Sequence, residues 1–256
     1  MREVLLTALG VGGATIIGAI IGFFFKNPSH RFSDIILSFA AGVMLSAAVV
    51  GLIIPSLDRT DGESKLVAIA ITVVGVFMGA VVLNLIDKLT PHLHKITGVD
   101  IEGHPERNDR INKVLLFVIA IAIHNLPEGI AAGVSFGSEN TVGAFTVAAA
   151  IALQNIPEGM VIIAPMLSAG MSKRRTFVIA LLTGVVEVVG TLVGYFAVAL
   201  SEAILPFALA FAGGTMIYVI SDEMIPETHA HGNERAATYS LLFGFCLMLA
   251  FDFLIG

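Results

Sequence analysis

Charge is what this sequence has least of: 13% of its 256 residues are Asp, Glu, Lys or Arg. A soluble domain carries about one quarter charged residues. So few charges cannot clothe a water-exposed surface, which excludes an ordinary soluble protein. Cysteine is nearly absent too. Cys246 is the single one, so the chain forms no internal disulfide and builds no thiolate metal cage by itself. It lies within an apolar run and reads as a small buried residue. A basic excess is also missing. The net charge of -6 argues against nucleic acid as a partner.

What is present is apolar. Hydrophobic residues make up 56% of the chain and the mean hydropathy is +0.91. They fall in runs at 4–25, 35–54, 66–87, 114–136, 142–168, 177–200, 204–221 and 238–255. Each is close to the about 17–25 residues that cross a hydrocarbon core of about 30 Å. The N-terminal run "VLLTALGVGGATIIGAIIGFFF" exceeds a signal-peptide core and has no convincing cleavage site before Lys26, so it counts as a span. Eight spans predict an all-α integral membrane protein in one polytopic domain, 1–256, within a lipid bilayer. Dense glycines in "GVGGA", "AAG" and "FAGGT" suit close helix packing there.

The basic residues set the orientation. Lys26, Arg31, Lys88, Lys95, Arg107, Arg110, Lys113, Lys173, Arg174, Arg175 and Arg235 fall in the 1–2, 3–4, 5–6 and 7–8 links, leaving Arg2, Arg59 and Lys65 opposite. The positive-inside rule makes the richer side cytoplasmic. Both termini are then extracytoplasmic, "KRR" at 173–175 is a topology determinant, and 88–113 is a cytoplasmic loop. That loop is rich in charge, glycine and proline, and is expected to be mobile.

Against this background one polar hexapeptide occurs twice, "HNLPEG" at 124–129 and "QNIPEG" at 154–159. Each copy sits near the centre of its span. A charged carboxylate at that depth costs about 2.5–3.5 kcal/mol or more, so something must bind it. His124 and Glu128 are four apart and share a helix face, as do Gln154 and Glu158. Asn125 and Asn155 lie on the adjoining strip. Pro127 and Pro157 each free a carbonyl one turn back and kink the helix. The short "GSEN" link makes spans 4 and 5 antiparallel neighbours, which implies a two-fold axis in the membrane plane. Inverted repeats with broken helices and midplane sites mark transporters. Glu187, near the centre of span 6, adds a third acid. No Lys or Arg lies near the middle of a span, so the counter-charge comes from outside the chain. Imidazole with carboxylates suits a first-row divalent metal.

On these hexapeptides the sequence resembles the ZIP (Zrt-/Irt-like) family of divalent-metal transporters, and most of all its GufA-like bacterial branch. "FAAGVMLSAAVVGLIIPSLD", "GVVEVVG" and "DEMIPETH" extend the likeness along the chain. The resemblance implies eight helices in a 3+2+3 inverted repeat, outward termini, and a binuclear metal centre between helices 4, 5 and 6. One metal would take His124, Glu128, Gln154 and Glu158 with Met44 nearby. The other would take Asn125, Glu128, Glu158 and Glu187. The branch is expected to carry Asp at the place of Asn155, so the second site here lacks one charge. The resemblance also implies a homodimer, an elevator-type motion in some members, and uptake of zinc first, with cadmium, iron, manganese and cobalt, across the cell membrane into the cytoplasm. The metal is then cargo, with no resident cofactor.

Asp58 and Asp252 fall at the outer mouth as a possible entrance. Asp87, Asp222 and Glu223 fall at the inner ends of spans 3 and 7 as a possible exit. His30, His92, His94, His104, His229 and His231 all lie in expected cytoplasmic links, where "HLH" and "HAH" are candidates to receive or sense metal. Two other classes compete. An intramembrane metal-dependent hydrolase would also need midplane His and Glu, but "HExxH" is absent. A channel or non-transporting receptor would show flux that never saturates, or none.

Overall fold

The structure is a computed structural model, and it describes all residues except 26–27, 59–63, 97–121, 137–140, 169 and 256. Side chains of 87–96 and 202 are likewise outside the described set. Among the described residues, seven helices are long and apolar enough to span a membrane. We number them with the helical stretch 122–135 in chain order. They are α1 (Arg2–Gly22), α2 (His30–Asp58), α3 (Lys65–Ile96), α4 (122–135), α5 (Thr141–Ser168), α6 (Lys173–Leu200), α7 (Leu205–Thr228) and α8 (Glu234–Ile255). No strand occurs among the described residues. The chain is an all-helical, multi-pass membrane protein.

Helix starts follow from capping. Ser29 Oγ accepts the Phe32 amide at 3.2 Å and Ser172 Oγ the Arg175 amide at 3.3 Å, each satisfying a donor left free in a first turn. Consequently α2 begins at His30, inside the break expected around "KNPSHRF". At the other end α2 and α7 outrun their expected limits of 54 and 221. Both pass through a π-helical segment, Ala47–Ile53 in α2 and Ile220–Met224 in α7, then continue over Pro55 and Pro226. A π turn bonds five residues back and shifts the hydrogen-bond register. The shift comes just before a proline that would otherwise break the ladder. In α3 the helix runs to Ile96, so 88–96 of the expected 88–113 loop is helical. Residues 97–113 lie outside the described residues.

Glycines bring the helices together, and the contacts occur in matching pairs. Gly190 and Gly194 of α6 face the carbonyls of Leu126 and Ile130 in α4. Gly18 and Gly22 of α1 face those of Ile156 and Met160 in α5 in the same way. Gly42 of α2 meets Leu241 of α8, while Gly214 of α7 meets Val76 of α3. In each pair the absent side chain lets backbone touch backbone, the small-residue packing of membrane interfaces. The main apolar core lies between, with Met44, Met216, Ala131, Ala132 and Ile151 fully buried.

Outer faces are apolar as well: Leu242, Phe243, Phe253 and Leu254 of α8 are exposed. Cys246 is also exposed on α8, which corrects the expectation of a buried residue. In a bilayer an apolar side chain gains nothing by facing inward, so an apolar run does not say which way its cysteine points.

Candidate metal centre

The last residue of each hexapeptide explains how the site is assembled. A β-carbon on Gly129 would overlap the backbone of Glu187 in α6, and one on Gly159 would overlap that of Thr15 in α1. Each "PEG" therefore lets its helix press against a neighbour, with the preceding glutamate beside the seam. Helix α4 stays helical through Pro127. Helix α5 runs through Pro157 and breaks briefly at Ile162, between Val161 and Ile163.

The predicted ligands come together and are buried. Relative exposure is 0% for Asn125, Gln154, Asn155 and Glu187, 1% for Glu128, and 8% for His124 and Glu158. A network joins them. Gln154 Nε2 donates to Glu128 Oε2 at 2.6 Å and to Asn155 Oδ1 at 2.5 Å, linking the two hexapeptides. Glu187 accepts from three neutral donors: Asn125 Nδ2 at 2.6 Å and Thr15 Oγ1 at 2.8 Å on Oε1, and Asn155 Nδ2 at 2.8 Å on Oε2. Asn155 also donates to the Val11 carbonyl at 3.3 Å. Asn125 Oδ1, Gln154 Oε1 and Glu158 Oε1 are buried acceptors with no hydrogen-bond partner. Unsatisfied buried oxygens are costly, and a cation satisfies several at once.

His124 turns the other way. Its Nε2 lies 2.5 Å from Glu223 Oε1 of α7. A cavity of about 400 Å³ opens at this point, walled by His124, Glu128 and Glu158 on one side and Asp222, Glu223 and Glu227 on the other. The set thus has two halves. His124, Glu128 and Glu158 line the cavity, while Asn125, Gln154, Asn155 and Glu187 do not, and Asn155 and Glu187 bond to Val11 and Thr15 of α1. Among the described residues no three of His, Cys, Asp and Glu already form a ligand cage.

The remaining candidates fall as follows. Met44 lies in the main apolar core, which also takes in Ile123 and Ile151. Asp58 is exposed at the end of α2 and Asp252 half-buried on α8. Asp222 is exposed and accepts from Tyr218 Oη at 3.2 Å. Asp87 is helical, with its side chain outside the described set, as are those of His92 and His94; His104 lies wholly outside it. Sequence reading missed Thr15 and Glu227. A threonine in an apolar run carries no signal, and Glu227 was read as loop because α7 was ended too early.

Comparison with known proteins decides the family. The family model described as "ZIP Zinc transporter" matches residues 99–252. The chain is 40% identical over 257 residues to zinc transporter GufA of Myxococcus xanthus, covering 98% of both chains. This protein belongs to the ZIP family. It is also 38% identical over 246 residues to zinc transporter ZIPB of Bordetella bronchiseptica, covering 95% of this chain and 78% of that one. To zinc transporter ZupT of Chlorobaculum parvum it is 35% identical over 246 residues, covering 93% and 91%. The GufA-like assignment read from the hexapeptides therefore holds, and a ZIP protein is a transporter, not an enzyme.

One residue of this ZIP chain invites a direct test. In Asn155→Asp an amide donor to Glu187 becomes a second carboxylate facing the first. Without metal the two acids repel, so the melting temperature is expected to fall. Zinc should then stabilise the variant more than the native chain, since a ligand binding only the folded state raises stability with its affinity. Thermal melts with and without zinc check this. Equal zinc-induced shifts in both proteins would count against a metal-binding role for position 155.

Proposed function

We propose that this chain carries divalent transition-metal cations, zinc first with cadmium, iron, manganese and cobalt as alternates, across the cell membrane into the cytoplasm. The observation that carries the reading is the cavity joining the hexapeptides to α7, in which His124 touches Glu223. A cation held by His124, Glu128, Gln154 and Glu158, near Met44, leaves when Glu223 competes for it. Asp222 and Glu227 form the next negative stretch of the path, and Asp87 belongs to the same exit. Asp58 and Asp252 draw cations to the opposite mouth, since α2 and α8 run parallel and bring both acids to one end. The second position, Asn125, Glu128, Asn155, Glu158 and Glu187, binds more weakly, because Glu187 is already occupied by three neutral donors and Asn155 carries no charge.

The paired glycine contacts support a 3+2+3 plan. In that plan α1–α3 correspond to α6–α8, and α4 to α5, about an axis in the membrane plane, with both termini extracytoplasmic. Residues 97–113 extend the cytoplasmic link. Such a plan lets one set of helices move against the other in alternating access, in elevator fashion, and the working unit is a homodimer. The single polytopic domain, 1–256, carries the whole activity. The relatives' names, zinc transporters all, agree. An intramembrane metal-dependent hydrolase finds no support among them.

Uptake into proteoliposomes tests the proposal, with zinc, cadmium, iron, manganese and cobalt in competition. The native chain should show saturable uptake. His124→Ala should abolish it, and Cys246→Ala should leave it intact. Undiminished uptake in His124→Ala, or metal binding without flux, would refute transport through this site.

A further inference from the structure

A pair of imidazoles, His30 and His231, stands apart from the hexapeptides. His30 is the first residue of α2, just after its capping serine. Asp34 lies four residues on, over the same face. His231 comes from the α7–α8 link, beside Gly232, which turns the chain at φ 79°. The rings of His30 and His231 stack with centroids 4.4 Å apart and planes tilted by 23°. The Asp34 carboxylate is 3% exposed and doubly held. Its Oδ1 lies 3.0 Å from His231 Nδ1, and its Oδ2 accepts from Asn233 Nδ2 at 2.9 Å.

We infer that His30 and His231 form a surface site for a first-row divalent cation, with Asp34 as its positioning residue. A buried carboxylate against Nδ1 fixes the proton on that nitrogen and leaves the Nε2 lone pair for a metal. Carboxylate support of this kind accompanies most metal-binding histidines. The second imidazole is already within stacking distance, so a movement of the His30 ring alone would bring its nitrogen to the same ion. Imidazole donors select zinc, cobalt, nickel or copper over magnesium and calcium. Water completes the coordination.

Its place in the fold gives the site a use. Asp34 lies one helical turn before Leu37, and His231 four residues past Glu227; Leu37 and Glu227 both line the cavity. A cation released past Glu223 and Glu227 meets the histidine pair next. The site's existence is independent of transport. Its role as a receiver rests on the uptake reading above.

Cobalt titration of the full-length chain in detergent, followed by the visible ligand-field absorption, tests the binding. In the His124→Ala background one bound cobalt should persist. His30→Phe keeps a ring in the stack and removes a ligand, and should weaken that ion by about tenfold or more. His231→Ala should do the same. Asp34→Asn should keep the stoichiometry but weaken binding by about tenfold. Cobalt binding of unchanged number and affinity in both His30→Phe and His231→Ala overturns the proposal. Proteoliposome uptake separates the two readings: absence of flux in the native chain, with cobalt still bound at His30 and His231, defeats the transport role alone.

Discussion

Glu128→Ala is expected to reduce zinc uptake in proteoliposomes to the background of empty vesicles. Glu128 is buried, lines the cavity, and takes the Gln154 amide from the opposite hexapeptide. It is therefore the carboxylate that joins the two helices and faces the cavity. Losing a residue that merely orients a ligand lowers metal affinity by about 10–100-fold, and losing a charged ligand should cost at least as much. Glu128→Gln separates charge from shape. It keeps the volume and an acceptor oxygen but removes the negative charge, and should transport as poorly. Size-exclusion profiles matching the native chain would show that both variants fold. Uptake above half the native rate in Glu128→Gln would mean that the charge is not needed, and the site would have to be redrawn around His124 and Glu158.

The second large effect concerns packing. Gly159→Ala places a methyl against the backbone of Thr15, and no flexible side chain is there to yield. Backbone must shift. Overpacking of this kind costs about 1–3 kcal/mol, occasionally more. The shift also disturbs Thr15, which holds Glu187. The melting temperature should therefore fall, and uptake with it. Gly13→Ala is the matched control in α1, since nothing lies within 4 Å of its added carbon. It should melt like the native chain. If Gly159→Ala and Gly13→Ala melt together, the glycine seams do not fix the helix positions.

These two tests divide along the line between sequence and structure. Glu128 could be named from the sequence because an acid repeated in two apolar spans has no bland explanation. The role of Gly159 could not, because glycine is common throughout and only the neighbouring backbone says which one is indispensable. The extension of α7 was missed for a related reason. Pro226 reads as a stop signal, and the π segment that carries the helix past it depends on backbone hydrogen bonds rather than residue type. Ending α7 early also hid Glu227 from the cavity wall.

By itself, the sequence determined the membrane-spanning class, the family and the residues of the two hexapeptides. Those follow from burial costs and helical spacing, which are local properties of the chain. The tertiary structure decided which groups those residues meet. His124 meets Glu223, 99 positions away; Thr15 reaches Glu187 across 172; and His231 reaches Asp34 across 197. It also turned Cys246 outward, because in lipid the hydrophobic effect does not distinguish the inside of the bundle from its surface. Contacts between distant segments depend on how helices pack, and helix periodicity carries no information about the partner.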